Sequence, residues 1–223
     1  MAKQYGMLID LRRCIGCTSC QVSCKMENGA PIGGFRSRVE IVEAGEFPAA
    51  KRYFLPKFCN HCREAPCIEA CPVKGATYRR DDGIVVVNRD LCVGCGQCVD
   101  ACPYGARYLH EYLPIKNNPK PYTKDFVPAL AKTPVKDLRV VDKCDFCSSR
   151  LEAGQEETAC ARACFGKAIV FGDLADPNSR ISKLVASEKP DVRHPEYGTK
   201  PRVYYIAADK NVFEAADGPL NPA

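Results

Sequence analysis

The sequence predicts an α+β fold made of two small units, each built around cysteine side chains. Three observations predict it. The chain has 223 residues, of which 16 are cysteine, and the cysteines fall into four groups of four. Apolar runs are short, as in 84–87 and 169–171, and none approaches the length of a membrane span. The pair Asp82-Gly83 lies between two strand-like runs, which is typical of a β-hairpin.

The composition argues against several classes of protein. With 32 Lys and Arg against 27 Asp and Glu, the net charge is +5, and no basic stripe of the kind expected for nucleic-acid binding is present. No apolar run approaches the roughly 18 residues of a membrane span, so we expect no transmembrane segment. The first residues lack the apolar region and the cleavage site of a signal peptide. Disulfide-dense proteins are usually small and secreted, which makes disulfides a poor explanation of the cysteines.

The four cysteine quartets follow one spacing pattern with two variants. The first and third are C-x2-C-x2-C-x3-C, the second has spacings of x2, x4 and x3, and the fourth has x2, x12 and x3. The quartets are Cys14, Cys17, Cys20 and Cys24; Cys59, Cys62, Cys67 and Cys71; Cys92, Cys95, Cys98 and Cys102; and Cys144, Cys147, Cys160 and Cys164. The regular pattern is that of bacterial ferredoxins, in which the fourth cysteine binds the other cluster of a pair.

Residues next to the cysteines also suit cubane clusters. Three cysteines with two residues between each pair can wrap one face of a cube, and a glycine such as Gly16 favours so tight a loop. Pro72 and Pro103 follow the second and third quartets, as in ferredoxins, whereas Lys25 and Phe165 follow the other two. Zinc sites usually combine two C-x2-C pairs or mix Cys with His, and the chain has only 3 histidines. Four [4Fe–4S] clusters are therefore favoured over zinc.

The residues leave two pairings of the quartets open. Neighbours could pair, first with second and third with fourth, or the pairing could be nested, second with third and first with fourth. Cys71 and Cys92 are 21 positions apart (92 − 71) and enclose the predicted hairpin, as one compact unit requires. The segment between Cys24 and Cys59 is longer and has its own predicted strands, at 38–42 and 52–55. These observations favour the nested pairing.

Nested pairing divides the chain into four parts. The first ferredoxin-like unit is discontinuous, 1–50 plus 135–187, and the second is 51–110. A loop rich in Pro and Lys, 111–134, is an insertion, and 188–223 is a polar C-terminal tail with a terminal strand at 202–206. One helix is predicted before the tail, running through 187. Its N-cap would be Asn178 or Ser179, and its apolar face would be Ile181, Leu184 and Val185.

The quartets in this order resemble the iron–sulfur subunits of molybdenum or tungsten bis-pterin enzymes of the dimethyl-sulfoxide-reductase family, such as polysulfide, thiosulfate, tetrathionate and arsenate reductases. Segments 59–67, 143–147, 172–179 and 201–206 are similar to motifs of that family. The resemblance implies the nested pairing, with four clusters and the following ligands. Cluster 1 takes Cys14, Cys17, Cys20 and Cys164; cluster 2 takes Cys24, Cys144, Cys147 and Cys160; cluster 3 takes Cys59, Cys62, Cys67 and Cys102; cluster 4 takes Cys71, Cys92, Cys95 and Cys98.

The resemblance also implies a function. The chain would be a non-catalytic electron-transfer subunit that relays electrons between a molybdenum or tungsten bis-pterin catalytic subunit, next to cluster 1, and an integral-membrane quinone-reactive subunit, next to cluster 4. Such a subunit would be peripheral to the membrane, on the periplasmic rather than the cytoplasmic face. Two alternatives stay open: a polyferredoxin-type relay of a formate dehydrogenase or hydrogenase-linked complex, and a free electron carrier. The residues contain no acid–base or nucleophilic constellation, so we predict no catalytic residue.

Charged residues near the cysteines have two possible roles. Lys57, Arg63, Lys74 and Lys143 flank predicted ligands. They could raise cluster potentials, because a positive charge favours the more negative reduced state, or they could be ordinary surface charges. His61 lies between two cysteines and titrates near neutral pH when unperturbed. We expect it to be a solvated loop residue rather than a proton-transfer or quinone-contacting group.

Overall fold

A computed structural model describes residues 3–30, 33–110, 140–208, 210–217 and 220. The predicted insertion at 111–134 lies outside these residues. The strands are β1 (Tyr5–Asp10), β2 (Arg38–Ala44), β3 (Lys51–Lys57), β4 (Thr77–Arg79), β5 (Val85–Val87), β6 (Arg107–His110), β7 (Val140–Lys143), β8 (Ile169–Asp173) and β9 (Val203–Ile206). The helices are α1 (Ser19–Asn28), α2 (Pro66–Glu69), α3 (Gln97–Asp100), α4 (Ser148–Glu152), α5 (Ala159–Arg162), α6 (Arg180–Glu188) and α7 (Lys210–Ala215). None of these helices is long and apolar enough to cross a bilayer.

A three-stranded sheet joins distant parts of the chain. Its strand order is β8-β1-β9. β1 is antiparallel to β8, with Tyr5 opposite Asp173, and parallel to β9, with Met7 opposite Val203. This sheet therefore holds the N-terminal segment beside the segment that follows the fourth cysteine quartet.

The two faces of this sheet pack against different layers. Side chains alternate along a strand, so neighbours point to opposite faces. Met7 and Ile9 belong to the main core, which includes many of the cysteines. Leu8 belongs to a second apolar cluster with Ile181 of α6. The sheet thus separates the cysteine-rich interior from the helix that covers its outer face.

The predicted C-terminal helix is confirmed as α6. Ser179 is its N-cap, and the Ser179 hydroxyl accepts a hydrogen bond of 3.1 Å from the N–H of Ser182. This contact satisfies one of the backbone donors that a helix start leaves without a partner. Ile181 is buried, and Leu184 and Val185 pack against the same apolar cluster, as predicted.

Two-stranded ribbons form the rest of the strand structure. The hairpin predicted at Asp82-Gly83 is confirmed: β4 and β5 are antiparallel, and Gly83 has a φ of 85° in the connecting turn. The strands predicted at 38–42 and 52–55 are present and longer, as β2 and β3, which pair with each other. β6 and β7 also pair, with Arg107 opposite Lys143.

Several of the helices are single turns that carry cysteine. Cys67 lies on α2, Cys98 on α3 and Cys160 on α5, and each of these helices has four residues. A helix this short is not stable by propensity alone, so it forms because tertiary contacts hold it. The longer α1 carries both Cys20 and Cys24.

A buried ion-pair network links the segment before β2 to β7. Arg36 forms ion pairs of 2.8 Å with Asp142 and 3.1 Å with Asp145, and donates a hydrogen bond of 2.8 Å to the Asn28 side chain. Tyr108 donates a hydrogen bond of 2.7 Å to the Asp142 carboxylate. Burial by itself raises the pKa of Asp142, but Arg36 and then Arg89 hold that pKa well below its usual range.

The C-terminal region is more structured than the sequence indicates. The segment 188–200, predicted as a polar tail, buries Arg193, His194 and Thr199. The Tyr104 hydroxyl lies 2.5 Å from the Thr199 hydroxyl, so this segment is bonded to the loop after the third cysteine quartet. After the predicted terminal strand, which is present as β9, the chain forms α7, for which the sequence analysis had no signal. Part of the polar segment 188–200 is therefore packed against the rest of the fold, which the sequence did not indicate.

We expect Arg36→Ala to lower the free energy of unfolding by about 3–5 kcal/mol, because removing one partner of a buried ion pair leaves the other charge uncompensated. Urea unfolding of the purified protein, followed by circular dichroism under anaerobic conditions, measures this change. Arg52→Ala is the matched control. Its ion pair with Glu43 is exposed, and such pairs contribute about 0–1 kcal/mol. Equal unfolding midpoints for the two variants would contradict a stabilising role for the buried network.

Candidate metal centres

Cysteines from different quartets line common cavities. Three such cavities lie in the described part of the chain. The first is lined by Cys14, Cys17, Cys20 and Cys164; the second by Cys59, Cys62, Cys67 and Cys102; the third by Cys71, Cys92, Cys95 and Cys98. Each of these cavities therefore has four cysteine side chains around one space.

The other four cysteines form a buried group. Burial, followed by the neighbouring thiols of Cys24, Cys160 and Cys147, raises the pKa of Cys144 well above its usual value. The Asn28 side chain links two of them, because its Nδ2 atom lies 3.6 Å from the Cys24 sulfur and 3.9 Å from the Cys147 sulfur. All four thiols are buried. The four groups have the same members as the four sets that the family resemblance implies.

Strand pairing explains how the last cysteine of one quartet reaches another. Cys14, Cys17 and Cys20 lie just after β1, and Cys164 lies just before β8. Because β1 and β8 are paired and antiparallel, the end of one strand meets the start of the other. Contact between α1 and α5 brings Cys24 toward Cys160 in the same way.

Backbone N–H groups point at several of the sulfur atoms. Ala168 donates to the Cys164 sulfur at 3.2 Å, and Ala106 donates to the Cys102 sulfur at 3.4 Å. Each donor lies four residues after its cysteine, so the two loops are equivalent. A hydrogen bond to the charged form of a group favours that form. These contacts therefore suit cysteines that act as thiolates.

Burial opposes ionisation of the free thiols. It raises the pKa of Cys20 and of Cys62 to about 12, and the pKa of Cys24 and of Cys67 to about 11. Only a strong positive partner, such as a metal, can hold buried groups of this kind as thiolates at neutral pH. The burial and the donor type thus fit a metal-bound state better than a set of free thiols.

The geometry fits a cluster better than a single ion. Among the residues that the structure describes, no group of three or more His, Cys, Asp or Glu side chains is arranged to hold one metal ion. A [4Fe–4S] cluster takes one thiolate at each of four irons, so its ligands surround a larger space than the ligands of one ion do. Four thiols around an apolar cavity match that requirement. The residues present therefore fit [4Fe–4S] clusters.

His61 is buried, and the expectation of a solvated residue was wrong. Its side chain has no exposed surface, and its Nδ1 accepts a hydrogen bond of 3.0 Å from the N–H of Val85. The ring stacks on Phe146 with centroids 3.7 Å apart. Burial, and then the charge of Lys143, hold the pKa of His61 well below its usual value. The imidazole is therefore neutral at physiological pH.

The four cations that flank cysteines differ in exposure. Arg63 and Lys74 are exposed, as expected of surface charges. Lys57 and Lys143 are buried, so for these two the surface interpretation was wrong. Lys57 donates a hydrogen bond of 2.8 Å to the Ala216 carbonyl, and Lys143 donates one of 2.7 Å to the Cys144 carbonyl.

Two side chains at the cysteine sites were not predicted from the sequence. Arg107 lines the second cavity. The Thr199 hydroxyl interacts with the Cys62 thiol and lowers its pKa, although burial has the larger and opposite effect. A charged residue inside the strand-like run after Cys102 was the available signal for Arg107. Thr199 gave none, because its contact depends on the path of the C-terminal segment.

Together, the fold and the cysteine groups define an iron–sulfur protein of the ferredoxin-like class. Comparison with protein families agrees, since residues 50–117 match a family described as a 4Fe-4S dicluster domain. That match includes both the second and the third quartet.

Comparison with individual proteins is more specific. The chain is 40% identical to a subunit of the tetrathionate reductase of Salmonella typhimurium, over 99% of this chain and 79% of that protein. It is 38% identical to a component of the polysulfide reductase of Wolinella succinogenes, over 96% of this chain and 100% of that protein. It is 36% identical to the iron–sulfur subunit of the arsenate respiratory reductase of a Shewanella species, over 91% of this chain and 96% of that protein. The chain belongs to the family of iron–sulfur subunits of dimethyl-sulfoxide-reductase-family enzymes.

We expect Gly16→Ala to reduce bound iron by about four atoms per chain, the content of one cluster. Gly16 has a φ of 68°, and a Cβ at this position would lie 2.4 Å from the Phe54 ring, so the loop that carries Cys14 and Cys17 would have to move. Iron analysis after anaerobic purification measures the loss. Gly96→Ala is the matched control, because Gly96 also has a positive φ, 82°, but no atom of the described residues beyond its chain neighbours lies within 4 Å of the added Cβ. Equal iron loss in both variants would show that backbone strain alone, and not the Phe54 contact, decides the outcome.

Proposed function

We propose that this chain is the electron-transfer subunit of a reductase complex and carries electrons through four [4Fe–4S] clusters. The observation that carries the proposal is the division of all sixteen cysteines into four groups of four, each with thiols from two quartets. When bound, the clusters supply one-electron redox chemistry. The protein supplies the ligands, the apolar surroundings and the spacing between the clusters.

The proposed ligands are the four cysteine groups described above, with cluster 1 in the first cavity, cluster 2 in the buried group, cluster 3 in the second cavity and cluster 4 in the third. Clusters 1 and 2 belong to a first unit, 1–50 plus 135–187, and clusters 3 and 4 to a second unit, 51–110. The pairing of β1 with β8 supports the discontinuous unit. The dicluster match over 50–117 supports the pairing of the second and third quartets.

Exposure supports a linear order of the clusters. Cys17 of cluster 1 and Cys95 of cluster 4 are exposed, whereas all four thiols of cluster 2 are buried. Clusters 1 and 4 would therefore be the ends of the relay, where electrons enter and leave.

The stacked rings of His61 and Phe146 support the middle step. His61 lies within the Cys59–Cys62 loop of cluster 3, and Phe146 lies within the Cys144–Cys147 loop of cluster 2. Because the ring centroids are 3.7 Å apart, the two cluster loops are in direct contact. The proposed order is cluster 1, cluster 2, cluster 3 and cluster 4.

Apolar side chains are exposed at both proposed ends. Ile15 and Phe165 lie beside cysteines of cluster 1, and Phe165 has 81% of its surface exposed. Val93 lies beside a cysteine of cluster 4 and is 66% exposed. Exposed apolar groups at a functional site commonly mark contacts with other proteins. We propose that a molybdenum or tungsten bis-pterin catalytic subunit covers the cluster 1 end and that an integral-membrane quinone-reactive subunit covers the cluster 4 end.

The proposed role is not catalytic. Every cluster would have four cysteine ligands, so no iron would have an open position for a substrate. The alternative relay, in a formate dehydrogenase or a hydrogenase-linked complex, is less favoured because the matched relatives are components of tetrathionate, polysulfide and arsenate reductases. We propose a position at the membrane, on its periplasmic face. Cell fractionation that finds the complex only in the cytoplasm would contradict this position.

Anaerobic purification of the complex from its native source tests the function. We expect about sixteen iron atoms per copy of this chain, four for each cluster, beyond the iron of its partners. We also expect molybdenum or tungsten on a larger chain that purifies with it. The same iron without a partner chain and without either metal would favour a free electron carrier. Zinc in place of iron would contradict the cluster assignment.

Cysteine substitution tests the nested pairing. We expect Cys24→Ser and Cys147→Ser to change the same electron paramagnetic resonance signal, because both residues would bind cluster 2. Cys62→Ser, in cluster 3, should change a different signal and serves as the control. If Cys24→Ser instead changes the signal that Cys62→Ser changes, the first quartet shares a cluster with the second and the pairing is between neighbours.

A further inference from the structure

Two buried cations face each other across the β6–β7 ribbon. Arg107 and Lys143 are cross-strand partners, and each has only 2% of its surface exposed. Like charges directly opposite each other destabilise a ribbon, and a buried charge without a partner costs far more. In the described part of the chain, neither residue forms an ion pair with a carboxylate. Arg36, by contrast, is also buried but has two carboxylate partners.

Arg107 retains donors with no partner of their own. Its Nη1 donates a hydrogen bond of 3.3 Å to the Thr77 hydroxyl. Its Nε and Nη2 atoms are buried and make no hydrogen bond with any described residue. Buried donors are almost always satisfied, so these two N–H groups call for an acceptor beyond those that the described residues supply.

The guanidinium lies between two of the proposed cluster sites. Arg107 lines the cavity of cluster 3, where Cys67, Cys59 and Cys102 are its neighbours. On its other side the guanidinium is hydrogen-bonded to the side chain of Cys98, a proposed ligand of cluster 4. An arginine side chain stays protonated in proteins, so Arg107 places a positive charge beside both sites.

A fixed positive charge in this position raises the reduction potential of a nearby cluster. A one-electron reduction makes a cluster more negative by one charge, so a nearby cation stabilises the reduced form more than the oxidised form. The effect is strong here because charges in a buried site are screened far less than charges in water. A cation shared by two sites acts on both of them.

We propose that the positive charge of Arg107 acts on both cluster 3 and cluster 4 and raises the reduction potential of each. The unpaired N–H groups of Arg107 would donate hydrogen bonds to sulfur atoms of these clusters. The proposal rests on the ligand sets of the proposed function. On the opposite strand, the ammonium group of Lys143 donates hydrogen bonds to the carbonyls of Val85 and Cys144. Within the described part of the chain, Arg107 is therefore the member of the pair that still has unpaired donors to offer the clusters.

Redox titration of the intact complex, followed by electron paramagnetic resonance, tests the proposal. The variant Arg107→Gln keeps a side chain of similar polarity without the charge. We expect two of the four cluster potentials of this chain to fall and the other two to stay at the parent values. The two that fall should be those of the signals that Cys62→Ser and Cys98→Ser change. Arg52→Gln, which removes an exposed arginine from β3, should change none of the four.

Each outcome decides the proposal. Full iron content in Arg107→Gln with four unchanged potentials, or with a fall at a single cluster, would overturn the shared role while leaving the relay function intact. If Arg107→Gln does not assemble, Arg107→Lys provides the test, because it keeps the charge but loses the planar group. If Arg107→Lys assembles and has the parent potentials, the result supports the role of the charge. If neither variant assembles its clusters, the charge proposal is overturned, and Arg107 has a purely steric role. Absence of iron from the parent complex would instead contradict the proposed function itself.

Discussion

The antiparallel pairing of β1 with β8 is the contact on which the cysteine arrangement depends. It places the turn after Asp10 beside the turn before Ile169, and those two turns carry the thiols of the first cavity. The same pairing aligns α1 with α5, which closes the buried group around Cys24 and Cys160. Without this pairing, the cysteines of the first quartet would not meet those of the fourth quartet, and neither the first cavity nor the buried group would have four thiols.

Electrostatics impose a second requirement on the same sites. A protein interior does not hold isolated charges well, and here ten of the sixteen cysteine side chains lie in or against one core that also has several buried cations nearby. The negative charge of iron-bound thiolates and the positive charge of the neighbouring arginine and lysine side chains compensate each other. Each charge therefore lowers the free-energy cost of burying the other. The buried charge of Arg36 is compensated by the carboxylates of Asp142 and Asp145 instead, and these ion pairs hold the segment before β2 against β7.

Local signals in the sequence predicted the features that depend on local geometry. Cysteine spacing, the Asp82-Gly83 turn and the Ser179 cap each act within a few residues, and the structure has the corresponding hairpin and helix. The burial of His61 was not predictable, because it follows from stacking on Phe146, a residue far away in sequence. The packing of 188–200 was missed for a similar reason: Tyr104 and Thr199 make a contact that no periodicity encodes. The burial of Arg107 and Lys143 reverses the usual preference of charged residues for the surface, and it becomes understandable only with the neighbouring thiols in view.

The nested order of the cysteines has a consequence for biogenesis. During synthesis, Cys14, Cys17 and Cys20 leave the ribosome first, yet the fourth thiol of their cavity, Cys164, is the last cysteine of the chain. The cavities that use residues between 59 and 102 are complete much earlier. The set of thiols around the N-terminal cavity is therefore the last to be complete in the order of synthesis. A polypeptide truncated before Cys164 would have the thiols of Cys14, Cys17 and Cys20 without the fourth thiol of their cavity.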